Sequence, residues 1–363
     1  MAGASGTSDS SMVSVGRVQL LSDDLGIAVV SPPVRTGMIQ SGGLLVMDSA
    51  GRKPRHVRPR LPRFSHIDDF SFLDRLHGWL VGWNLNDVGV RVYRTSDGGR
   101  TWKNVAVTAH SMSAGSVATI QFLDAKRGWL VNQQPTAPNA RLYASTDGGA
   151  RWRLVQRRLP EIAPVRFTGP RDAWQAGGFF GHSLFHSRDG GRTWKRAQLP
   201  LPARMRAARA LYELPVVFGR RVLAPVSILR RVSVDLRIYG SGDDGRTWKL
   251  SSRVTLPASN GASCSLFATL AAPPSISIAT PRAWWAAVYH SGSWYAYSTT
   301  NAGRDWHSAL VTRVQAPAPC AQAPSMQAVD AETSWFRFTV GESDGRLYGT
   351  NDGGRNWRRI RPL

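Results

Sequence analysis

The sequence has few of the residues that catalytic centres and membrane spans require. It contains no run of 18 apolar residues, so it predicts no membrane-spanning helix. Only two of its 363 residues are cysteines and only four are glutamates. It lacks a phosphate-binding Gly-x-x-x-x-Gly-Lys loop and a His-Glu-x-x-His motif, and two cysteines cannot form the usual zinc site. The sequence therefore predicts no metal site and no cofactor.

The beginning of the chain also lacks a targeting signal. Residues 1–14 are small and polar, without a basic start or an apolar core, so no signal peptide is visible. We interpret them as a flexible N-terminal segment. Either the chain is cytoplasmic, or these residues are a mature or trimmed start.

Six copies of one eight-residue pattern organise the chain. Each has a hydroxyl residue, a carboxylate or amide two residues on, a glycine two further on and a tryptophan three after that. The glycines recur at steps of 50, 42, 54, 58 and 51 residues, a period that predicts a solenoid, a propeller or a similar array. The copies are residues 95–102, 145–152, 187–194, 241–248, 299–306 and 350–357.

Each copy has the chemistry of a tight hairpin turn. In the first, Thr95 and Asp97 are expected to accept backbone N–H groups inside the turn. Gly98 and Gly99 supply left-handed backbone angles at low cost. Trp102 begins the next strand and offers a large apolar surface to a neighbouring unit, so we expect the repeated tryptophans in the core.

The pattern resembles the Asp-box, or bacterial neuraminidase repeat (BNR), of sialidases, sortilin-type receptors and photosystem II assembly/stability factor-like propellers. In those families the box joins the third and fourth strands of a blade and does not touch substrate. The families work mostly outside the cytoplasm, so the resemblance implies an extracytoplasmic location. It also implies structural roles for Asp97, Trp102, Asp147, Trp152, Asp189, Trp194, Asp243, Trp248, Asn301, Trp306, Asp352 and Trp357.

The segments between the boxes predict four strands in each unit. A degenerate unit precedes the first full box, and its own box has decayed to residues 47–51. Counting it, we predict an all-β chain forming a single seven-bladed β-propeller with four-stranded antiparallel blades over residues 15–363. The approximate blades are 15–62, 63–112, 113–162, 163–208, 209–262, 263–322 and 323–363.

The two cysteines, Cys264 and Cys320, occupy nearly the same place in consecutive repeats, 19 residues after Gly245 and 17 after Gly303. Equivalent links in adjacent blades could bring the thiols together as a disulfide. The alternative is two inert, half-buried thiols.

Positive charge dominates the polar residues, with 46 Lys and Arg against 24 Asp and Glu and a net charge of +22. This excess indicates an anionic partner, or basic residues scattered for solubility. Inter-blade links and second-to-third loops share the face opposite the boxes, and nine arginines fall in them. We call this set the basic rim: Arg55, Arg58, Arg60, Arg63, Arg204, Arg206, Arg209, Arg230 and Arg231.

A sialidase-like glycoside hydrolase is the alternative function. Such enzymes carry a Phe/Tyr-Arg-Ile-Pro motif and a tyrosine nucleophile with a glutamate partner. The motif is absent, and Tyr212 and Glu213 are adjacent residues that one strand would direct to opposite faces. His182 and His186 are four apart in a strand context, and we expect both to be solvated. We therefore predict no catalytic residues.

The pattern is most similar to that of the photosystem II assembly/stability factor-like group, whose propellers engage a partner protein through an arginine-rich face. The resemblance implies a non-enzymatic binding or assembly module. The predicted partner is an acidic protein segment or an anionic polymer. Nucleic acid is not favoured, because no aromatic stacking platform accompanies the arginines. We expect a monomer.

Overall fold

The computed structural model describes residues 14–31, 43–48, 53–57, 65–84, 90–107, 117–134, 139–177, 181, 183–202, 210–258, 273–314, 324–340 and 344–361. Their regular structure is antiparallel β-sheet, and each sheet is made of strands that follow one another along the chain. This part of the chain contains no helix long and apolar enough to cross a membrane.

Six blades are four-stranded antiparallel sheets. The first three comprise β1 Ser14–Leu20, β2 Leu25–Ser31, β3 Gly43–Asp48 and β4 Lys53–Val57; β5 Ser65–Phe72, β6 Gly78–Asn84, β7 Arg91–Thr95 and β8 Lys103–Ala106; and β9 Val117–Phe122, β10 Gly128–Gln134, β11 Asn139–Ser145 and β12 Arg153–Gln156.

The fourth blade and the two C-terminal blades have the same order of strands. They comprise β13 Val165–Phe167, β14 Ala173–Gly177, β15 Ser183–Ser187 and β16 Lys195–Arg196; β22 Ser275–Ile278, β23 Trp284–His290, β24 Ser293–Thr299 and β25 His307–Arg313; and β26 Ser325–Ala328, β27 Thr333–Val340, β28 Asp344–Asn351 and β29 Arg358–Ile360.

The prediction of seven four-stranded blades is wrong, because the sheet after the fourth blade has five strands. Its innermost edge is divided in two, since β17 and β18 pair with different parts of the same neighbour, β19. The break falls at residues 213–215 and includes Pro215, which has no N–H to donate to a ladder. The five strands are β17 Ala210–Tyr212, β18 Val216–Phe218, β19 Arg221–Leu229, β20 Ser233–Ser241 and β21 Lys249–Pro257.

The Asp-box turns are closed by their own side chains. Thr95 Oγ1 accepts the Gly99 N–H at 2.9 Å, and Asp97 Oδ1 accepts the Thr101 N–H at 2.9 Å. Gly98 has a φ of 71° and donates its N–H to the Leu76 carbonyl in the first hairpin turn. The box and the first hairpin turn of a blade therefore lie on the same face of the ring.

The box tryptophans are only partly buried, so the expectation that they belong to the core is wrong. Trp102 packs at the margin of its cluster and donates its indole N–H to the Gly99 carbonyl at 3.0 Å. Most of the deeply buried tryptophans stand instead at the first hairpins. Trp79 stacks on Phe122 of the next blade with ring centroids 3.7 Å apart, and its indole N–H reaches the Gly148 carbonyl. These hairpin residues form the hydrophobic contact between blades.

Side chains on the innermost strands also join neighbouring blades. Gln19 bonds both the N–H and the carbonyl of Phe72, and Gln121 does the same to Phe167. In blades with a tryptophan at the first hairpin, the bridging residue lies eight positions before that tryptophan. The two residues face each other on neighbouring strands of the same blade. We call this the bridging position: Gln19, Ser71, Gln121, Ser277 and Gln327 occupy it.

The ring closes by these same contacts between the first and last blades. Gln327 accepts the Leu20 N–H at 2.8 Å and donates to the Val18 carbonyl. Arg337 Nε donates to the Val15 carbonyl at 2.9 Å. Trp335 packs with apolar residues of both blades. Among the described residues, closure therefore uses side chains and packing, and the two sheets exchange no strand.

Candidate binding sites

Two of the nine basic-rim residues lie in a described turn of the five-stranded sheet. Arg230 and Arg231 are exposed and belong to the short turn between β19 and β20. The Asp-box of this sheet follows the other end of β20. The turn and the box therefore lie at opposite ends of one strand, which places these two arginines away from the boxes.

A buried carboxylate organises the arginines at this end of the sheet. Asp235 is fully buried and lies 2.9 Å from Arg253, 3.1 Å from Arg237 and 3.7 Å from Arg230. Burial acts to raise the pKa of Asp235, but hydrogen bonds from Arg253 and Arg237 outweigh it and hold the pKa below its ordinary value. Three guanidinium groups thus surround one carboxylate and leave a local excess of positive charge.

The exposure of these arginines differs in a way that matters for binding. The Arg230 and Arg253 side chains are each 50% exposed, whereas Arg237 is 6% exposed. Arg237 therefore serves the sheet, while the other two present N–H groups to solvent. The sequence analysis included Arg230 in the basic rim and missed Arg253. The backbone of Arg253 pairs directly with that of Arg237 across the β20–β21 ladder. Facing pairs can be read from a hairpin only once its register is known.

The rest of the basic rim is placed only in part. Arg55 lies within β4, where its backbone pairs with Val46, so its segment begins as an outer strand and not as an inter-blade link. The other rim residues and both cysteines lie outside the described residues. One continuous rim, and a Cys264–Cys320 bond, stay predictions. These undescribed residues are Arg58, Arg60, Arg63, Arg204, Arg206, Arg209, Cys264 and Cys320.

A cavity of about 750 Å³ lies among the innermost strands, lined by residues of four blades and of the five-stranded sheet. We call it the central channel. Tyr212 and Glu213 both line it, and the expectation that their side chains point to opposite faces stays a prediction.

Two charged side chains face this channel. Burial raises the pKa of Glu213, and the positive charge of Arg166 opposes that rise. Burial also lowers the pKa of Arg166, which the Glu213 carboxylate counteracts. Arg166 stands at the bridging position, eight residues before Trp174 and paired with it across the strand. That spacing is visible in the sequence and could have identified Arg166 as the departure from the repeat.

His186 is buried, which corrects the expectation that it is solvated, while His182 lies outside the described residues. The ring of His186 stacks on Trp174 with ring centroids 3.9 Å apart, and His186 Nε2 lies 3.6 Å from Asp172 Oδ1. Desolvation and the charge of Arg188 lower its pKa to about 4. Within the described ranges no cluster of His, Cys, Asp and Glu could hold a metal ion.

The fold and its repeated turns define a BNR-type β-propeller. A family model described as photosynthesis system II assembly factor YCF48 matches residues 58–167, which is under a third of the chain. The predicted resemblance is confirmed at this level, and a link to sialidases or sortilin-type receptors is not shown. No curated protein matched the chain.

Solved structures support the fold at low sequence identity. A prolyl endopeptidase matches at 11% identity and a TM-score of 0.58, with 96% of this chain covered; the chain spans 49% of that protein's length. The propeller domain of the trilobed protease from Pyrococcus furiosus, which has an open velcro topology, matches at 9% identity and 0.54, covering 97% and 98%. The uncharacterized protein lmo1340 from Listeria monocytogenes EGD-e matches at 8% and 0.54, covering 96% and 94%.

Proposed function

We propose that this propeller is a non-enzymatic binding or assembly module that engages an acidic protein segment or anionic polymer through its basic face opposite the Asp-boxes. The observation that carries the proposal is the group of arginines around Asp235. A buried carboxylate fixes Arg230 and Arg253 while half of each side chain remains exposed. Ordered guanidinium groups lose less entropy on binding, and their planar forks suit carboxylates and phosphates.

Two further findings support a binding role. The family whose model matches part of the chain is described as an assembly factor, which is a binding activity. The net charge of +22 would also speed encounter with an anionic partner. An extracytoplasmic location is part of the same proposal, by resemblance to the BNR families.

The experiment compares two double variants of equal charge for capture on immobilised poly-L-glutamate. R230Q/R231Q removes two arginines from the face away from the boxes, and R100Q/R192Q removes two exposed arginines from the box turns. We expect the first to weaken capture about tenfold, on the scale of one lost charge-assisted interaction, and the second to change it little. Binding by both proteins should weaken as salt rises. Equal losses would show that net charge alone binds the polymer.

Absence of catalysis is the other half of the proposal. Tyr212 and Glu213 are the residues that a sialidase-like reaction would use, because they line one cavity. A fluorogenic sialoside should be turned over no faster by the wild-type protein than by the Y212F/E213Q variant. Turnover that disappears in this variant would replace the binding role with a glycosidase.

A further inference from the structure

The fourth blade departs from the rule that joins its neighbours. In five blades the bridging position carries Gln or Ser, and its side chain bonds the backbone of the next blade's innermost strand. In the fourth blade this position carries Arg166, and the next innermost strand is broken at residues 213–215. The departure in the side chain and the break in the backbone therefore occur at the same junction.

Arg166 and Glu213 are left facing a common space at this junction. Both line the central channel, and their charges attract each other. Yet among the described residues neither side chain has a hydrogen-bonding or ion-pair partner. Arg166 is enclosed by protein but remains exposed to the channel. Two opposite charges thus stand across one cavity without closing on each other.

The rest of the lining mixes apolar and polar residues. Leu211 and Ile276 line the wall, and so do Ser277 and Gln327. A volume of about 750 Å³ lies within the range of small-molecule sites, which are mostly apolar with a few polar groups that orient the ligand. Among the described residues, the channel therefore offers both apolar and polar wall positions, with one charged group of each sign.

We propose that the central channel binds a small zwitterion, an amino acid or dipeptide, whose carboxylate is held by Arg166 and whose ammonium group is held by Glu213. Such a ligand supplies a counter-charge to each group, which burial otherwise penalises. A guanidinium binds a carboxylate through two parallel N–H bonds, which gives the ligand one orientation. This site is separate from the basic face and does not depend on the function proposed above.

The test uses L-leucyl-L-leucine and two blocked analogues, with binding measured by calorimetry and by the shift in melting temperature. The N-acetyl dipeptide lacks the ammonium group, and the dipeptide amide lacks the carboxylate. We expect the free dipeptide to bind at least about tenfold more tightly than either analogue, because each loses one charge-assisted contact. L-Leucine tests whether the single amino acid suffices. Equal binding of the three dipeptide forms, or no binding of either zwitterion, would overturn the proposal.

The variants assign each end of the ligand. R166Q should bind the dipeptide and its amide equally, and E213Q should bind the dipeptide and its N-acetyl form equally. R171Q and E332Q change exposed residues of the same types and should keep the wild-type preference. If R166Q retained that preference, Arg166 would not bind the carboxylate and the proposal would fail. The analogue series on wild-type protein decides the matter even if a variant does not fold.

Discussion

The indole ring of Trp335 lies against the backbone of Gly26 and leaves no space for a β-carbon there. Trp335 belongs to the last blade and Gly26 to the first, so this contact closes the ring. Trp335 is fully buried in a cluster that also contains Val15, Val18 and Leu347. A side chain at Gly26 would have to displace the ring from that cluster.

Gly26→Ala should therefore destabilise the protein by about 1–3 kcal/mol, the usual cost of overpacking a core. Gly242→Ala is the matched control, because a β-carbon at Gly242 would meet nothing within 4 Å. Urea unfolding of both variants measures the difference in the free energy of unfolding. Equal stabilities for the two would mean that the junction relaxes freely and that the closing contact is weak.

Hairpin and box tryptophans should differ in their contribution to stability. Trp79 is 4% exposed and stacks on Phe122, so Trp79→Ala should cost about 3–5 kcal/mol. Trp102 of the same blade is only partly buried, and Trp102→Ala should cost about half as much, since less apolar surface is lost. Denaturant midpoints of the two variants test the order. A larger loss at Trp102 would reverse our assignment of the core.

Two Asp-boxes carry a non-glycine residue, Asp244 or Ala302, at a position with a left-handed backbone. Ala302 has a φ of 62°, whereas the equivalent positions Gly98, Gly148 and Gly190 are glycines. Ala302→Gly should stabilise the protein by about 0.5–1 kcal/mol, because only glycine adopts this conformation at low cost.

Ala150 provides the control for this substitution, since it lies in a box turn without a positive φ. Ala150→Gly should be neutral or destabilising by about 0.5 kcal/mol, through the added freedom of the unfolded chain. Thermal unfolding at one scan rate compares the pair. A stabilising Ala150→Gly would show that glycine acts on something other than the left-handed conformation.

His186 should make stability depend on acidity. Its pKa is lowered to about 4 in the folded protein, chiefly by desolvation, against an ordinary value of 6.5. Between these values the unfolded chain binds a proton that the folded protein does not. Stability is therefore lost as pH falls from 6.5 towards 4, by about 3 kcal/mol for a shift of this size.

The His186→Phe variant isolates this contribution. Phenylalanine keeps an aromatic ring against Trp174 and cannot titrate. Unfolding free energies measured at several pH values should fall less steeply between pH 6.5 and 4 for the variant than for the wild type. Parallel curves would assign the acid sensitivity to carboxylates instead.

The sequence predicted local structure well where neighbouring residues alone determine it. The Thr95–Asp97 turn follows from side-chain chemistry within a few residues. The depth of Trp102, and the position of Arg253 beside Asp235, depend on how strands pair and on how blades pack. Pro215 is visible in the sequence, but the sequence does not show that it divides an edge strand. That division is seen only in the structure, where β17 and β18 both pair with β19. The site at Arg166 is visible in retrospect as an arginine at the bridging position.

Because the described strands of the first and last sheets are not shared between them, the propeller has no preferred starting blade. The closing bond from Gln327 to Leu20 repeats the bond from Gln121 to Phe167, which lies between blades joined by a continuous chain. A circular permutant that links the present ends and opens the chain between β12 and β13 would cut no sheet. Its new ends would meet at a junction with the same geometry as the old one. A permutation can therefore change which blade comes first along the polypeptide, while the order of the blades around the ring stays the same.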